Sequence, residues 1–137
     1  MDTSRRFRRL WTDERGAASV ELVVAMPLLL LLLLVIAQVA LWLHATHVAQ
    51  VTASEALAVT RVEGGTVTGG QAEAERILRQ LGSGPLHSPH TTVRRDLDDA
   101  AVTVEGTVTA VIPFLNLTAV GEATGPVERF VPVGVTP

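Results

Sequence analysis

The sequence contains no cysteine and no lysine among its 137 residues. The lack of cysteine excludes disulfide bridges, thiolate zinc sites and cysteine nucleophiles. The lack of lysine leaves eleven arginines to balance fourteen acidic residues, so the formal net charge is −3. A chain with this balance is not expected to bind nucleic acid, which selects for basic surfaces.

Charge is also missing from one long internal stretch, residues 22–43. A helix of this length extends about 33 Å, enough to cross a hydrocarbon core of about 30 Å. Pro27 is tolerated in a membrane helix, and Trp42 suits the membrane–water interface. A cleaved secretory signal peptide is the alternative, but its apolar region is usually shorter. We therefore predict one membrane-spanning helix.

The charges on the two sides of this stretch differ in sign. Residues 1–16 carry five arginines and three acidic residues, whereas residues 44–137 carry six arginines and ten acidic residues. Basic flanks stay in the cytoplasm. We therefore expect residues 1–16 to form a basic cytoplasmic leader and the C-terminal part to lie outside the membrane.

The helix is predicted to continue beyond the membrane, because residues 44–61 contain neither proline nor glycine. Within the predicted helix of residues 17–61, alanines recur every four residues at Ala45, Ala49 and Ala53. Such a ridge of small residues allows close helix–helix approach, and a polar residue such as Gln38 forms hydrogen bonds between membrane helices. We expect these four residues to pack against helices of other subunits.

The remainder is predicted to be a small α+β module, residues 71–132, joined by a glycine-rich linker, residues 62–70, and followed by a tail, residues 133–137. Residues 71–81 have the apolar spacing of a short amphipathic helix. Alternating apolar and polar residues predict a strand at 101–112. With a loop at 82–90, a weaker strand at 92–97, and one interrupted or two short strands within 117–131, the module has about three antiparallel strands.

No group of residues indicates catalysis, a metal or a cofactor. His44 and His47 lie three residues apart on the predicted helix, but a zinc site needs further ligands. His87 and His90 lie in a proline-bounded loop, and the acidic residues 96–99 lack the spacing of a calcium loop. We therefore expect no enzyme activity.

The segment RGAASVELVVAMP, residues 15–27, stands at the start of the apolar stretch. A glycine follows basic residues, and Glu21 comes five positions later. An acidic residue at a helix start interacts favourably with the helix dipole. A carboxylate entering hydrocarbon costs up to ~3 kcal/mol, however, so such residues usually have a partner.

This segment resembles the processing site of type IV pilin-like proteins, and within them the TadE-like pseudopilins of the tight-adherence (Flp) pilus. The shared features are Arg15-Gly16, Val20-Glu21, Pro27, the leucines at 28–34 and the polar Gln38. Family members carry a second acidic residue where Gln38 stands here. The Glu-Tyr pair of the major Flp subunit is Glu21-Leu22, which favours a minor pseudopilin.

The resemblance implies that a prepilin peptidase cuts between Gly16 and Ala17, and that Glu21 neutralises the new amino terminus of a neighbouring subunit. It also implies the inner membrane as the location, and as partners the lipid bilayer, other pilus and pseudopilin subunits and the assembly platform. Entry into the filament and a place at its base both stay open. The alternative function is an uncleaved membrane-anchored accessory protein whose exported domain binds another envelope protein.

Overall fold

A computed structural model describes residues 14–81 and 84–129 of the chain, with side chains from residue 20 onward. Its five elements are α1 (Glu14–Arg61), α2 (Val67–Leu81), β1 (Leu86–Arg95), β2 (Asp99–Val108) and β3 (Thr118–Pro126). The predicted α+β class, with one long helix, one short helix and three antiparallel strands, is confirmed. Most of the predicted leader and the whole tail lie outside the described residues. The chain divides into two compact units, Met1–Ala37 and Gln38–Pro137.

The first unit is described from residue 14 and consists of the N-terminal half of α1. Its large apolar side chains are exposed around the whole circumference of the helix, from Val20 to Ile36. Pro27 lies within the helix without ending it. Among the described residues, one helix is long and apolar enough to cross a membrane. A helix that is apolar all round is typical of a membrane span, so this unit fits a single-pass membrane anchor.

The second unit combines the C-terminal half of α1 with α2 and the sheet. The strands form an antiparallel meander in the order β1-β2-β3. Strand β3 runs along α1 in the same direction: Trp42 Nε1 donates a hydrogen bond to the carbonyl of Thr118 (3.1 Å) near its start. Past its end, the Glu128 amide donates to the carbonyl of Arg61 (2.8 Å). The helix and the strand are therefore joined near both ends.

The core of this unit lies between α1, α2 and one face of the sheet. In β2 the side chains at 100, 102, 104 and 108 are buried, as the predicted period of two requires. Small residues of α1 face them, and α2 adds Ala74 and Ile77. Two buried threonines, Thr52 and Thr60, donate to the carbonyls four residues earlier at 2.8 and 2.7 Å. Their hydroxyl groups are satisfied without a partner on another element.

Gly121 of β3 allows the sheet to approach α1 very closely. A Cβ atom at this position would lie 2.2 to 2.4 Å from backbone atoms of Ala49 and Gln50. No side chain fits at such distances, and the backbone of a packed helix moves little. The contact therefore depends on glycine in the strand and on small residues in the helix.

Helix α2 begins at Val67, four residues before the predicted start, so the glycine-rich connection is shorter than residues 62–70. Thr66 explains the early start, because its Oγ1 accepts a hydrogen bond from the Gly69 amide (3.0 Å) as an N-cap does. Gly70 is buried within the helix, and a Cβ there would lie 2.0 Å from Thr60 Oγ1. This glycine is a packing contact rather than a spacer.

The strand boundaries also differ from the prediction. Residues 86–90 belong to β1 rather than to a loop; β1 contains an irregularity between His87 and His90 that accommodates Pro89. Strand β2 ends at Val108 instead of residue 112, because the chain turns away at 109–117. Strand β3 continues through Gly125 to Pro126, and residues 127–129 are not strand. The predicted strand residues 130–131 lie outside the described residues.

Candidate processing and assembly segments

The predicted processing site lies at the start of α1. Gly16 and Ala17 have helical backbone, in the first turn after Glu14. Glu21 lies one turn further along and is exposed. It is followed by 33 residues, 22–54, without an acidic or basic residue other than histidine. The structure thus presents an exposed carboxylate at the beginning of a long apolar surface.

Gln38 is the first residue of the second unit and is almost completely buried, at 2% exposure. Its Nε2 donates to the carbonyl of Thr109 (3.1 Å), and its Oε1 accepts from the amide of Val111 (2.7 Å). The amide of Ile112 also points to Oε1, at 3.4 Å. The side chain therefore holds the β2–β3 connection of its own chain, whereas the prediction assigned it to helices of other subunits.

The alanine ridge is likewise covered within the chain. Ala45, Ala49 and Ala53 have no exposed surface and belong to the core cluster that includes β2 and β3. Their spacing does serve close packing, but the element that approaches is a strand, with Gly121 against Ala49. In this chain the ridge packs against the sheet of the same molecule, and contact with helices of other subunits stays a prediction. Small residues permit either contact, so spacing alone did not distinguish them.

Trp42 and Gln50 extend this helix–strand contact along β3. Trp42 is 39% exposed while its indole donates to Thr118. Gln50 Nε2 donates to the carbonyl of Glu122 (2.8 Å), and its Oε1 accepts from the amide of the same residue (3.3 Å). These bonds satisfy backbone groups on the free edge of β3. That edge is therefore covered by α1 at these positions.

An open groove of about 820 Å³ lies between α1, α2 and β1. Its lining includes His44 and Val48 from α1, Glu75 and Leu78 from α2, and His90 from β1. In the described part of the chain, no group of three or more histidine or acidic residues is placed to hold a metal ion. The groove is thus a mixed polar and apolar surface of the second unit.

The exposed face of α2 carries ion pairs in which an acidic residue pairs with an arginine one turn further along the helix. Arg76 donates to both carboxylate oxygens of Glu73, which lowers the pKa of that carboxyl group and raises the pKa of the guanidinium. Glu75 and Arg79 form a looser pair at 3.5 Å. Pairs this exposed contribute little to stability. We assign them to the solvated face of α2.

Comparison with known proteins gives a result that fits this geometry. The family described as TadE-like protein matches residues 16–57 of the chain. The match confirms the resemblance of this segment to TadE-like proteins. It begins at Gly16 and ends within the buried half of α1. Neither the search of curated proteins nor the search of solved structures found a match.

Proposed function

We propose that the protein is a minor pseudopilin of a tight-adherence pilus, matured by a prepilin peptidase between Gly16 and Ala17. The observation that carries the proposal is the TadE-like match, which starts at the residue before the proposed cut. The exposed apolar half of α1 supports it, because such a surface needs lipid or other apolar helices around it. The proposed location is the inner membrane, with the second unit outside.

Cleavage requires the peptide at Gly16 to leave its helical conformation and enter the peptidase. The bond lies in the first turn of α1, where the amide groups have no partner within the helix. Glycine also weakens a helix relative to alanine, by about 1 kcal/mol. The free energy needed to open the helix locally at this end is therefore small. Glycine also has no side chain that would obstruct the catalytic groups of the peptidase. Water then adds to the carbonyl carbon, leaving a carboxylate on Gly16 and an amine on Ala17.

The new amine and Glu21 form the proposed assembly contact. An α-amino group has a pKa near 8 and is mostly protonated at neutral pH. Ala17 and Glu21 are four residues apart, so they share one face of the helix. A subunit thus presents a positive and a negative group together, and an offset neighbour can match each with its opposite. In an apolar surrounding such compensation is strongly favoured over two isolated charges.

An uncleaved accessory protein is the second candidate function. The groove between α1, α2 and β1 favours it, because an exported binding module needs an accessible concave surface. In this case residues 1–16 stay attached, and the groove receives another envelope protein. The amino terminus of the mature protein separates the two candidates.

The test is co-expression with the cognate peptidase, followed by intact-mass measurement of the purified protein. We expect a mass lower by that of residues 1–16. Gly16→Val should keep the leader, whereas the matched variant Gly16→Ala, which adds a single methyl group, should still be cut in part. A full-length wild-type protein under these conditions would reject the pseudopilin and favour the uncleaved anchor.

The role of Glu21 is tested separately from cleavage. Glu21→Ala should be cut at least partly, since the carboxylate lies five residues beyond the bond, yet it should assemble poorly. Glu21→Gln should resemble Glu21→Ala if charge is required, and the wild type if a hydrogen bond suffices. Cross-linking to partner subunits measures assembly. Normal assembly of the alanine variant would contradict the proposed contact.

Orientation is tested by adding protease to intact spheroplasts. The charge difference between the two ends of the chain predicts that residues 62–137 are accessible from outside. The second unit should therefore be degraded while the membrane helix is protected. Protection of the second unit would reverse the proposed topology.

A further inference from the structure

The β2–β3 connection, residues 109–117, exposes an unusual amount of apolar surface at one end of the second unit. Phe114 is fully exposed, at 101%, and its φ of 68° is in a region that bulky residues rarely adopt. Val111 and Leu115 beside it are also exposed. The hydrogen bond between the Leu115 amide and the Ile112 carbonyl (3.3 Å) closes the turn and keeps Phe114 at its tip.

This connection is bonded to Gln38, which lies near the C-terminal end of the uncharged stretch 22–43 of α1. Gln38 holds the carbonyl of Thr109 and the amide of Val111, and Ala37 ends the first unit. If this stretch spans a bilayer, Gln38 lies about 7.5 Å before its end, close to the level at which the chain leaves the hydrocarbon. The connection bonded to Gln38 must lie at the same level.

The distribution of charge in the sheet agrees with such a position. Residues 106–121 contain no charged side chain, although they include the whole connection and the adjoining strand ends. The other end of β2 carries the charged group Arg94, Arg95, Asp96, Asp98 and Asp99. The length of β2 separates the two ends by about 33 Å. One end is thus suited to lipid and the opposite end to water.

We propose that the β2–β3 connection inserts Phe114 and its apolar neighbours into the interfacial region of the bilayer that the N-terminal helix spans. Trp42, one turn beyond Gln38 and half-exposed, lies beside the start of β3 and supplies a second aromatic residue at this level. Aromatic side chains are enriched at membrane interfaces. The second unit is thereby attached to the membrane at two points. The inference depends on the proposed membrane anchoring by the uncharged stretch, residues 22–43.

The absence of cysteine from the chain makes single-cysteine probes straightforward. We would label three full-length variants with an environment-sensitive fluorophore: Asn116→Cys beside Phe114, Leu97→Cys at the far end of the sheet, and Leu30→Cys in the apolar helix. Each is reconstituted at low density in phosphatidylcholine–phosphatidylglycerol vesicles. Lipids carrying a shallow or a deep spin-label quencher then report the position of each probe.

We expect the probe at 116 to show blue-shifted emission and to lose fluorescence with the shallow quencher. The probe at 97 should do neither, and the probe at 30 should respond to the deep quencher. Phe114→Ser in the Asn116→Cys background should weaken the shallow quenching, and Phe114→Leu should retain it, since an apolar side chain is restored.

Each other outcome overturns the inference in a recognisable way. A quenched probe at 30 with an unquenched, unshifted probe at 116 places the connection in water and leaves the anchoring intact. A blue shift at 116 without quenching by lipid, dependent on protein density, means that a second copy of the chain covers Phe114. An unquenched probe at 30 rejects the membrane anchoring itself, and the inference with it.

Discussion

Replacing Gly121 with alanine tests the close contact between β3 and α1. The added Cβ would lie 2.2 Å from the carbonyl carbon of Ala49 and 2.3 Å from the amide nitrogen of Gln50. Both are backbone atoms of a helix, so no side-chain rotation relieves the overlap. The strand must move away from α1 by more than an ångström, which loosens the packing of the alanine ridge.

The expected cost follows from two opposing effects. Inserting an extra methyl group into a well-packed core destabilises by typically ~1–3 kcal/mol. Exchanging a strand glycine for alanine gains ~0.5–1 kcal/mol, because glycine loses more backbone freedom on folding. The overlap with backbone atoms places Gly121→Ala near the upper end of the first range, so we expect a net loss of about 2 kcal/mol. For a unit of roughly 100 residues this lowers the melting temperature by about 10 °C.

Gly125→Ala is the matched control, because it makes the same change four residues along the same strand. The nearest atom to a Cβ there is a methyl carbon of Leu57 at 3.6 Å, an ordinary contact. This variant should retain or slightly exceed the stability of the wild type. The assay is thermal unfolding of the full chain in detergent, followed by circular dichroism and tryptophan fluorescence. Equal melting temperatures for the two variants would refute the close contact between β3 and α1.

Three further substitutions test other contacts of the second unit. Gln38→Leu removes the hydrogen bonds that this side chain makes to the β2–β3 connection, including the one from the Val111 amide, at a cost of about 1 kcal/mol; faster hydrogen exchange at that amide checks it. Thr66→Ala removes the cap of α2 and should cost ~1 kcal/mol in denaturant unfolding, with unchanged stability counting against the cap. Gly70→Ala places a Cβ 2.0 Å from Thr60 Oγ1 and should lower the melting temperature, but less in a Thr60→Ala background, where that hydroxyl is absent.

The TadE-like match covers most of α1 and none of the sheet. The match covers residues 16–57, which include the apolar half of α1 and most of the half that the sheet covers. The sheet itself lies outside the match. The matched segment therefore contains two surfaces. One is the apolar surface for which we propose contact with the membrane and with other subunits. The other is the face of α1 that packs against the sheet of the second unit.

The sequence by itself determined the elements that depend on local pattern. An uncharged stretch of sufficient length defines the apolar half of α1, and the absence of proline and glycine from 44–61 carries the helix to Arg61. Alternating side chains define β2. The motif around Gly16 and Glu21 was enough for the family resemblance. Each of these signals is contained in neighbouring residues, so no tertiary contact is needed to recognise it.

Tertiary structure alone decided which surfaces meet. The small side chains of Ala45, Ala49 and Ala53 allow close packing against any neighbouring element. The sheet is the element that packs there, because Gly121 lies opposite Ala49 and lets the strand approach. Gln38 has the polarity of a membrane contact residue, yet backbone groups 71 and 73 residues away in the chain take up its hydrogen bonds. Strand β1 continues through the segment that contains Pro89, because β2 pairs with β1 on both sides of this proline. These outcomes depend on residues that are distant in sequence, and local pattern carries no information about them.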